Sequence, residues 1–305
     1  MADVTTGTIE SLAIDWQHPG PARRHASAGR SWSERLRRAL KRSAEAPAVG
    51  ASAATAPDPL AIRQLLYGRG YIIPGDAASV LSLVAPFRLD ATSALLDLAA
   101  GLGGPARAIA QAFHARVSGI ERDYECARQA NAMSSALRAS HLVRIERADP
   151  ETLNLGSAKF DCALGREASY TVVQKERYLR VVAQALRPRG RIVLTDFVLD
   201  RNAGDRAELE AWRNNLAQRP ALWTAAQYAD CFKSGGYGLR RAEDISALYR
   251  RQIVAAWTAY LRSGGIRGQS AALVEAVLQE AEACFRTVAA LESGALKYYR
   301  FEAFA

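Results

Sequence analysis

Residues 94–122 read Ala94-Leu-Leu-Asp97-Leu-Ala99-Ala-Gly101-Leu-Gly103-Gly104-Pro105-Ala-Arg107, then a helical run, then Val117-Ser-Gly119-Ile-Glu121-Arg122. Leu95, Leu96 and Leu98 form the short apolar run that a strand buried on both faces requires. The glycines permit positive φ and close backbone approach, and Pro105 suits a first helical turn, where an N–H would lack a partner anyway. The stretch predicts a strand over 94–98, a glycine turn, a helix and a second strand ending at Glu121. In a doubly wound sheet an acid at that tip can accept both hydroxyls of a ribose.

Spacing separates the two ligand classes that use such a unit. A dinucleotide fold asks for G-x-G-x-x-G, so that pyrophosphate rests on the helix N-terminus. Here an acid ends the first strand, in the order Asp97-x-x-x-Gly101-x-Gly103-Gly104. Asp97 repels an anion and attracts the ammonium group of a methionine moiety. The stretch resembles motif I of class I methyltransferases, which bind S-adenosylmethionine (SAM); the alternative is an ordinary βαβ crossover with a glycine turn.

The chain as a whole has room for one large α/β domain plus additions: 305 residues, 49% hydrophobic, formal charge +9. No apolar run is long enough to span a membrane, and the start lacks an apolar leader, so a cytoplasmic protein is expected. Cys126, Cys162, Cys231 and Cys284 are far apart without a C-x-x-C, which suggests core thiols and no metal site. The positive charge is spread along the chain except in the N-terminal arm.

Residues 1–57 have linker composition and are expected to be a disordered basic arm, able at most to associate weakly with a membrane surface. Within it, Ser31–Ala44 can form a short basic helix with Trp32, Leu36 and Leu40 on one face. Residues 58–90 read as helices around the lead-in Tyr67-Gly-Arg-Gly-Tyr71-Ile72-Ile-Pro-Gly75, placed to form a lid. Next come a helix over Tyr124–Leu137 capped by Asp123, a strand over Leu142–Glu146 closed by Asp149-Pro150, and a strand over Phe160–Leu164. That strand runs into Arg166-Glu167-Ala-Ser-Tyr170-Thr171, which should face the reacting group. A helix over Val172–Leu186, a turn Arg187-Pro-Arg189-Gly190 and a strand over Arg191–Phe197 follow; Arg189 stands where methyltransferases commonly carry a glycine and reads as a tolerable surface change. The remaining pattern predicts helices over Arg206–Leu216 and Thr224–Ser234, and a strand over Tyr237–Asp244. A helical insertion over 246–292 and an aromatic last strand, Ala295–Phe304, complete it.

From about residue 60 onward the chain resembles the small-molecule class I methyltransferases, nearest to the phosphoethanolamine N-methyltransferase-like group. The lead-in, Asp97–Gly104, Gly119-Ile-Glu121, Ala148-Asp149, Arg166-Glu167-Ala168, Thr195-Asp196-Phe197, Gln227-Tyr-Ala-Asp230 and Phe301-Glu-Ala follow that group's landmarks in order. The resemblance implies a doubly wound, seven-stranded Rossmann-like sheet with a helical insertion before the last strand. It implies that Glu121 holds ribose, Asp149 the adenine, and the Gly101–Gly104 turn with Asp97 and Arg166 the methionine part. Ile72, Ala99, Arg107, Arg122 and Pro150 would line the same site. Glu167 is the first candidate for acceptor contact and proton abstraction, with Tyr170 and Tyr71 as aromatic walls.

Three departures argue against a phosphobase acceptor, though not against methyl transfer. Thr171 stands where that group carries a His, Phe197 lacks a hydroxyl, and no tyrosines matching its N-terminal pair precede Tyr67. Ala99 replaces a glycine of the turn and would cost roughly 1–2 kcal/mol if that position needs positive φ. The expected activity is SAM-dependent methylation of a small molecule, with the N, O or C acceptor atom open. The alternative is a degenerate SAM-binding protein with a regulatory or assembly role. Nucleic acid is not an expected partner.

Overall fold

The computed structural model describes residues 32–44, 58–203, 206–267 and 269–304. Seven strands form one sheet: β1 (Ala94–Asp97), β2 (Arg116–Glu121), β3 (Val143–Arg147), β4 (Phe160–Arg166), β5 (Leu186–Leu199), β6 (Gly238–Asp244) and β7 (Leu296–Phe304). Their order is β3-β2-β1-β4-β5-β7-β6, and β7 runs antiparallel to both its neighbours. The chain reverses its winding between β1 and β4, so the crevice at the carboxyl ends of these strands is where such a sheet holds ligands. In register, Asp97 lies beside Gly119 on one side and Leu164 on the other.

Period-3.6 apolar patterns place helices on both faces of the sheet. One face is covered by α3 (Ala77–Val84), α4 (Gly104–Phe113) and α5 (Tyr124–Ala136), which bury Val80, Ile109 and Ala130 against Leu95, Val117 and Leu164. On the other, α6 (Lys175–Ala185) and α8 (Ala225–Ser234) bury Tyr178, Val182 and Phe232 against Ile192 and Phe301. A third cluster joins α1 (Trp32–Ala44), α2 (Pro59–Tyr67), α7 (Ala207–Asn214), α9 (Ser246–Arg262) and α10 (Ala271–Glu292) to the carboxyl ends of β5 and the start of β7. Side-chain caps fix the helix starts: Asp58, Asp76, Asp123 and Ser270 each accept a first-turn N–H, and Thr224 with Gln227 makes a full capping box.

Three expectations need correction. Part of the arm is a docked helix: Trp32, Leu36 and Leu40 of α1 are buried, Trp32 meets the edge of Phe285, and Arg37 pairs with Glu282 at 3.0 Å. The rest of the predicted arm, residues 1–31 and 45–57, lies outside the described residues. Helix α6 starts at Lys175 and not at Val172, because the Glu151 carboxylate accepts the N–H groups of Val173 and Gln174 and holds them in a loop. Arg189 is not a neutral replacement, since its φ of +66° lies in the left-handed region that glycine would occupy freely. Among the described residues no helix is long and apolar enough to cross a membrane.

Candidate active site

The glycine turn forms as its residues require. Gly101 and Gly103 have φ of +52° and +74°, and at Gly104 a side chain would collide with the Gly70 carbonyl, 2.5 Å from where its Cβ would stand. Ala99 is not among the positive-φ residues, so the glycine replaced there carries no strain. Glu121 points at the turn: its Oε2 accepts from Gly101 N at 2.8 Å and its Oε1 from Asp123 N at 2.9 Å. Asp97 is 2% exposed. Its Oδ1 accepts a long bond of 3.4 Å from Ala99 N, and Oδ2 is buried without a partner among the described residues. Burial pushes its carboxyl up to about 7, against the Ala99 bond and the distant Arg166.

The lead-in lies over this turn. Gly70 O accepts from Gly104 N at 3.0 Å, closing the α4 N-terminus, and Ile72 packs directly on Gly101. Arg166, 7% exposed at the end of β4, donates to Pro74 O at 2.5 Å and so ties the lead-in to the strand. Tyr71 sits against Gly104 and the α3–α4 core, which places it on the turn and apart from the rings around Glu167. Arg107 is likewise turned from the expected role. Its guanidinium donates to Leu102 O at 2.8 Å, Ala130 O at 3.2 Å and Ser134 Oγ at 3.3 Å, bracing the turn from behind. At the β3 end, Asp149 accepts from Glu151 N at 3.0 Å and lies 3.9 Å from Arg122, which also donates to Gln218; Pro150 is buried beside them.

Across the crevice, Glu167 takes φ of +56°, an uncommon backbone for a residue with a side chain. Its Oε1 accepts from Tyr249 Oη at 2.8 Å, and burial pushes its carboxyl up to about 7. Five rings gather here. Phe197 lies 5.3 Å from Tyr170, 5.2 Å from Trp212, 5.5 Å from Tyr249 and 5.0 Å from Tyr298, centroid to centroid. The strained loop is anchored from below. Asp196, 1% exposed, accepts from Ser169 N at 2.8 Å and Oγ at 2.5 Å, while the fully buried Lys175 donates to Ser169 O and to Val172 O at 2.7 Å. Desolvation pulls the Lys175 ammonium down to about 8, against the pull of Asp196 and Glu151.

Thus Asp97, Ala99, Gly101, Gly103, Gly104, Glu121, Ile72 and Arg166 converge on one crevice, with Arg122, Asp149 and Pro150 at its outer end. Glu167 and Tyr170 lie on the adjoining wall. Sequence reasoning missed Trp212, Tyr249 and Tyr298, which come from α7, α9 and β7; the aromatic run at 298–304 was the one available signal. The acceptors present suit a ligand that donates: an ammonium group for the orphaned Asp97 oxygen, and a diol for Glu121.

A methyltransferase-domain family profile matches residues 96–194. The chain is 30% identical over 190 residues to 27-O-demethylrifamycin SV methyltransferase of Amycolatopsis mediterranei, covering 62% of this chain and 68% of that one. It is 26% identical over 186 residues to O-methyltransferase cnsE of Penicillium expansum, covering 61% and 67%. A solved structure of phosphoethanolamine N-methyltransferase 2 of Haemonchus contortus, holding phosphomonomethylethanolamine and S-adenosylhomocysteine, superposes with a TM-score of 0.72 at 16% identity. It covers 80% of this chain, which spans 56% of that longer one. The acid-ended first strand, the glycine turn and the acid at the tip of the second strand therefore belong to a known lineage: the chain is a member of the class I SAM-dependent methyltransferase family.

Proposed function

We propose that the protein methylates a hydroxyl oxygen on an apolar small molecule, with Glu167 taking the hydroxyl proton. SAM, when bound, supplies a methyl group carried on a positively charged sulfur. In this reading Asp97 Oδ2 receives its ammonium group, Glu121 its ribose hydroxyls and Asp149 its adenine amino group. Ile72, Ala99, Gly101, Gly103, Gly104, Arg122 and Pro150 line the site, and Arg166 fixes the lead-in above it. Residues 58–90 act as the lid and 246–292 as the roof of the acceptor pocket. The free, mostly buried thiols fit a reducing, cytoplasmic setting.

One observation carries the acceptor assignment. Tyr249 holds Glu167 Oε1, Oε2 has no partner among the described residues, and the surrounding walls are Tyr170, Phe197, Trp212 and Tyr298. A carboxyl raised to about 7 accepts a proton near neutral pH as the acceptor oxygen forms its new bond to carbon. Alignment supplies most of the rest, since effective molarities reach about 10⁵ M or more for well-oriented groups. The two O-methyltransferase relatives support an oxygen acceptor. A cationic amine is the second reading, favoured by a carboxylate set among aromatic faces.

Methyl-labelled SAM offered with a panel of phenols, apolar alcohols and alkylamines tests the assignment. Label is expected in methyl ethers. Glu167→Gln is expected to lower kcat by about 10²–10⁴-fold, with SAM affinity held within about threefold of wild type. Label only in amines would move the assignment to the second reading; no turnover on any acceptor would leave a SAM-binding protein without catalysis.

A further inference from the structure

A cavity of about 400 Å³ lies on the α3–α4 side of the sheet, over β5, β7 and β6, beside the single helical turn Ala85–Phe87. Its floor is apolar: Phe87, Val193, Ala303 and Phe304, the last 48% exposed. Its rim is cationic. Arg189, Arg191 and Arg240 line it. The carboxylate within it, Glu302, is already shared by Arg241 and Arg300. Arg191 spends one donor on Pro86 O, whereas Arg189 and Arg240 have no ion-pair or hydrogen-bond partner among the described residues. Exposed guanidinium groups beside an uncovered apolar floor offer one ligand both a charged and an apolar contact.

Arg189 adds a second, independent observation. It holds φ of +66°, where glycine would be free of strain, so the fold tolerates a cost to keep a guanidinium at this rim. Arg189 is an exposed residue near the start of β5, so its guanidinium is free to meet a ligand at this rim. The cavity is separate from the methyl-transfer crevice: β5 lines the cavity at Arg191 and Val193 and reaches the aromatic pocket at Phe197, roughly 13–20 Å along the strand.

We propose that this hollow binds an organic anion with an apolar body, such as a carboxylate- or phosphate-headed amphiphile, its head on Arg189 and Arg240 and its tail on Phe87 and Phe304. The volume suits a ligand of drug-like size.

The test uses the full chain at saturating SAM, so that the methyl-transfer crevice is filled, and titrates octyl phosphate, decanoate, inorganic phosphate and 1-octanol below their aggregation limits by calorimetry. Octyl phosphate and decanoate are expected to bind at least about tenfold tighter than inorganic phosphate or octanol, because each of those has only half of the recognised chemistry. Arg240→Gln is expected to weaken octyl phosphate about tenfold and leave SAM affinity unchanged. Arg189→Gly is expected to weaken it similarly while raising the melting temperature by ~1–3 °C, since it relieves the left-handed strain; that gain separates lost binding from lost folding. Equal affinity for inorganic and octyl phosphate would reduce the hollow to a generic anion patch. Octyl phosphate binding unaltered by both variants, or no binding in the millimolar range, would likewise overturn the proposal.

Discussion

Asp97 holds the least compensated charge of the site, and its consequences have a definite sign. Its carboxyl titrates near 7 in the folded chain against about 3.9 unfolded, so the folded state binds more protons between those values. Apo stability should therefore fall as pH rises from about 4 to about 7, the reverse of an acid held in a salt bridge. An ammonium ligand needs the ionised carboxylate, and an α-amino group itself loses its proton near 7.7–8.0. SAM affinity is expected to climb with pH up to about 7, then decline above about 8, in calorimetric titrations from pH 5.5 to 9. Asp97→Asn should weaken SAM by roughly 10–100-fold, the worth of a charge-assisted hydrogen bond, without lowering the apo melting temperature, because no charge is then buried. A fall in apo stability would mean that Oδ2 has a structural partner.

At the scale of elements, α1 shows how a short stretch can be read correctly in pattern and wrongly in context. Its spacing of Trp32, Leu36 and Leu40 is visible in the sequence, but the face that receives them lies far along the chain: Glu282 on α10 is 245 positions from Arg37, and Phe285 is further still from Trp32. Leu36→Ala should cost about 2–4 kcal/mol in denaturant unfolding if α1 is part of the fold; an exposed arm would lose almost nothing. The strands and helices from β1 to β5 were legible because each carries its own apolar period and turn residues. The positions of Glu121, Asp97 and the glycines around one turn were legible because they are fixed by local spacing. Arg107 was misplaced since spacing does not reveal that its guanidinium is taken by Leu102 O and Ala130 O. Tyr249 and Tyr298 reach Glu167 only through the folding of α9 and β7 onto the sheet, for which no short motif exists.

Over the whole molecule, the lead-in, β1, β2 and α9 meet around one crevice, so ligand binding there and global stability are linked. SAM at about 100 times its Kd should stabilise the chain by about 2.7 kcal/mol and raise its melting temperature by about 5 °C. The same stabilisation measured with Asp97→Asn at equal SAM concentration should fall to about 0.4–1.4 kcal/mol, the range left by a 10–100-fold weaker site. The contact between Gly70 O and Gly104 N bears on what the molecule refuses. Helix amides left open at such a turn would attract pyrophosphate, and nicotinamide and flavin carriers would compete for the crevice. By lodging one of its own carbonyls there, the chain makes rejection of those carriers a property of its resting backbone, so a redesign toward redox chemistry must first evict residues 68–75.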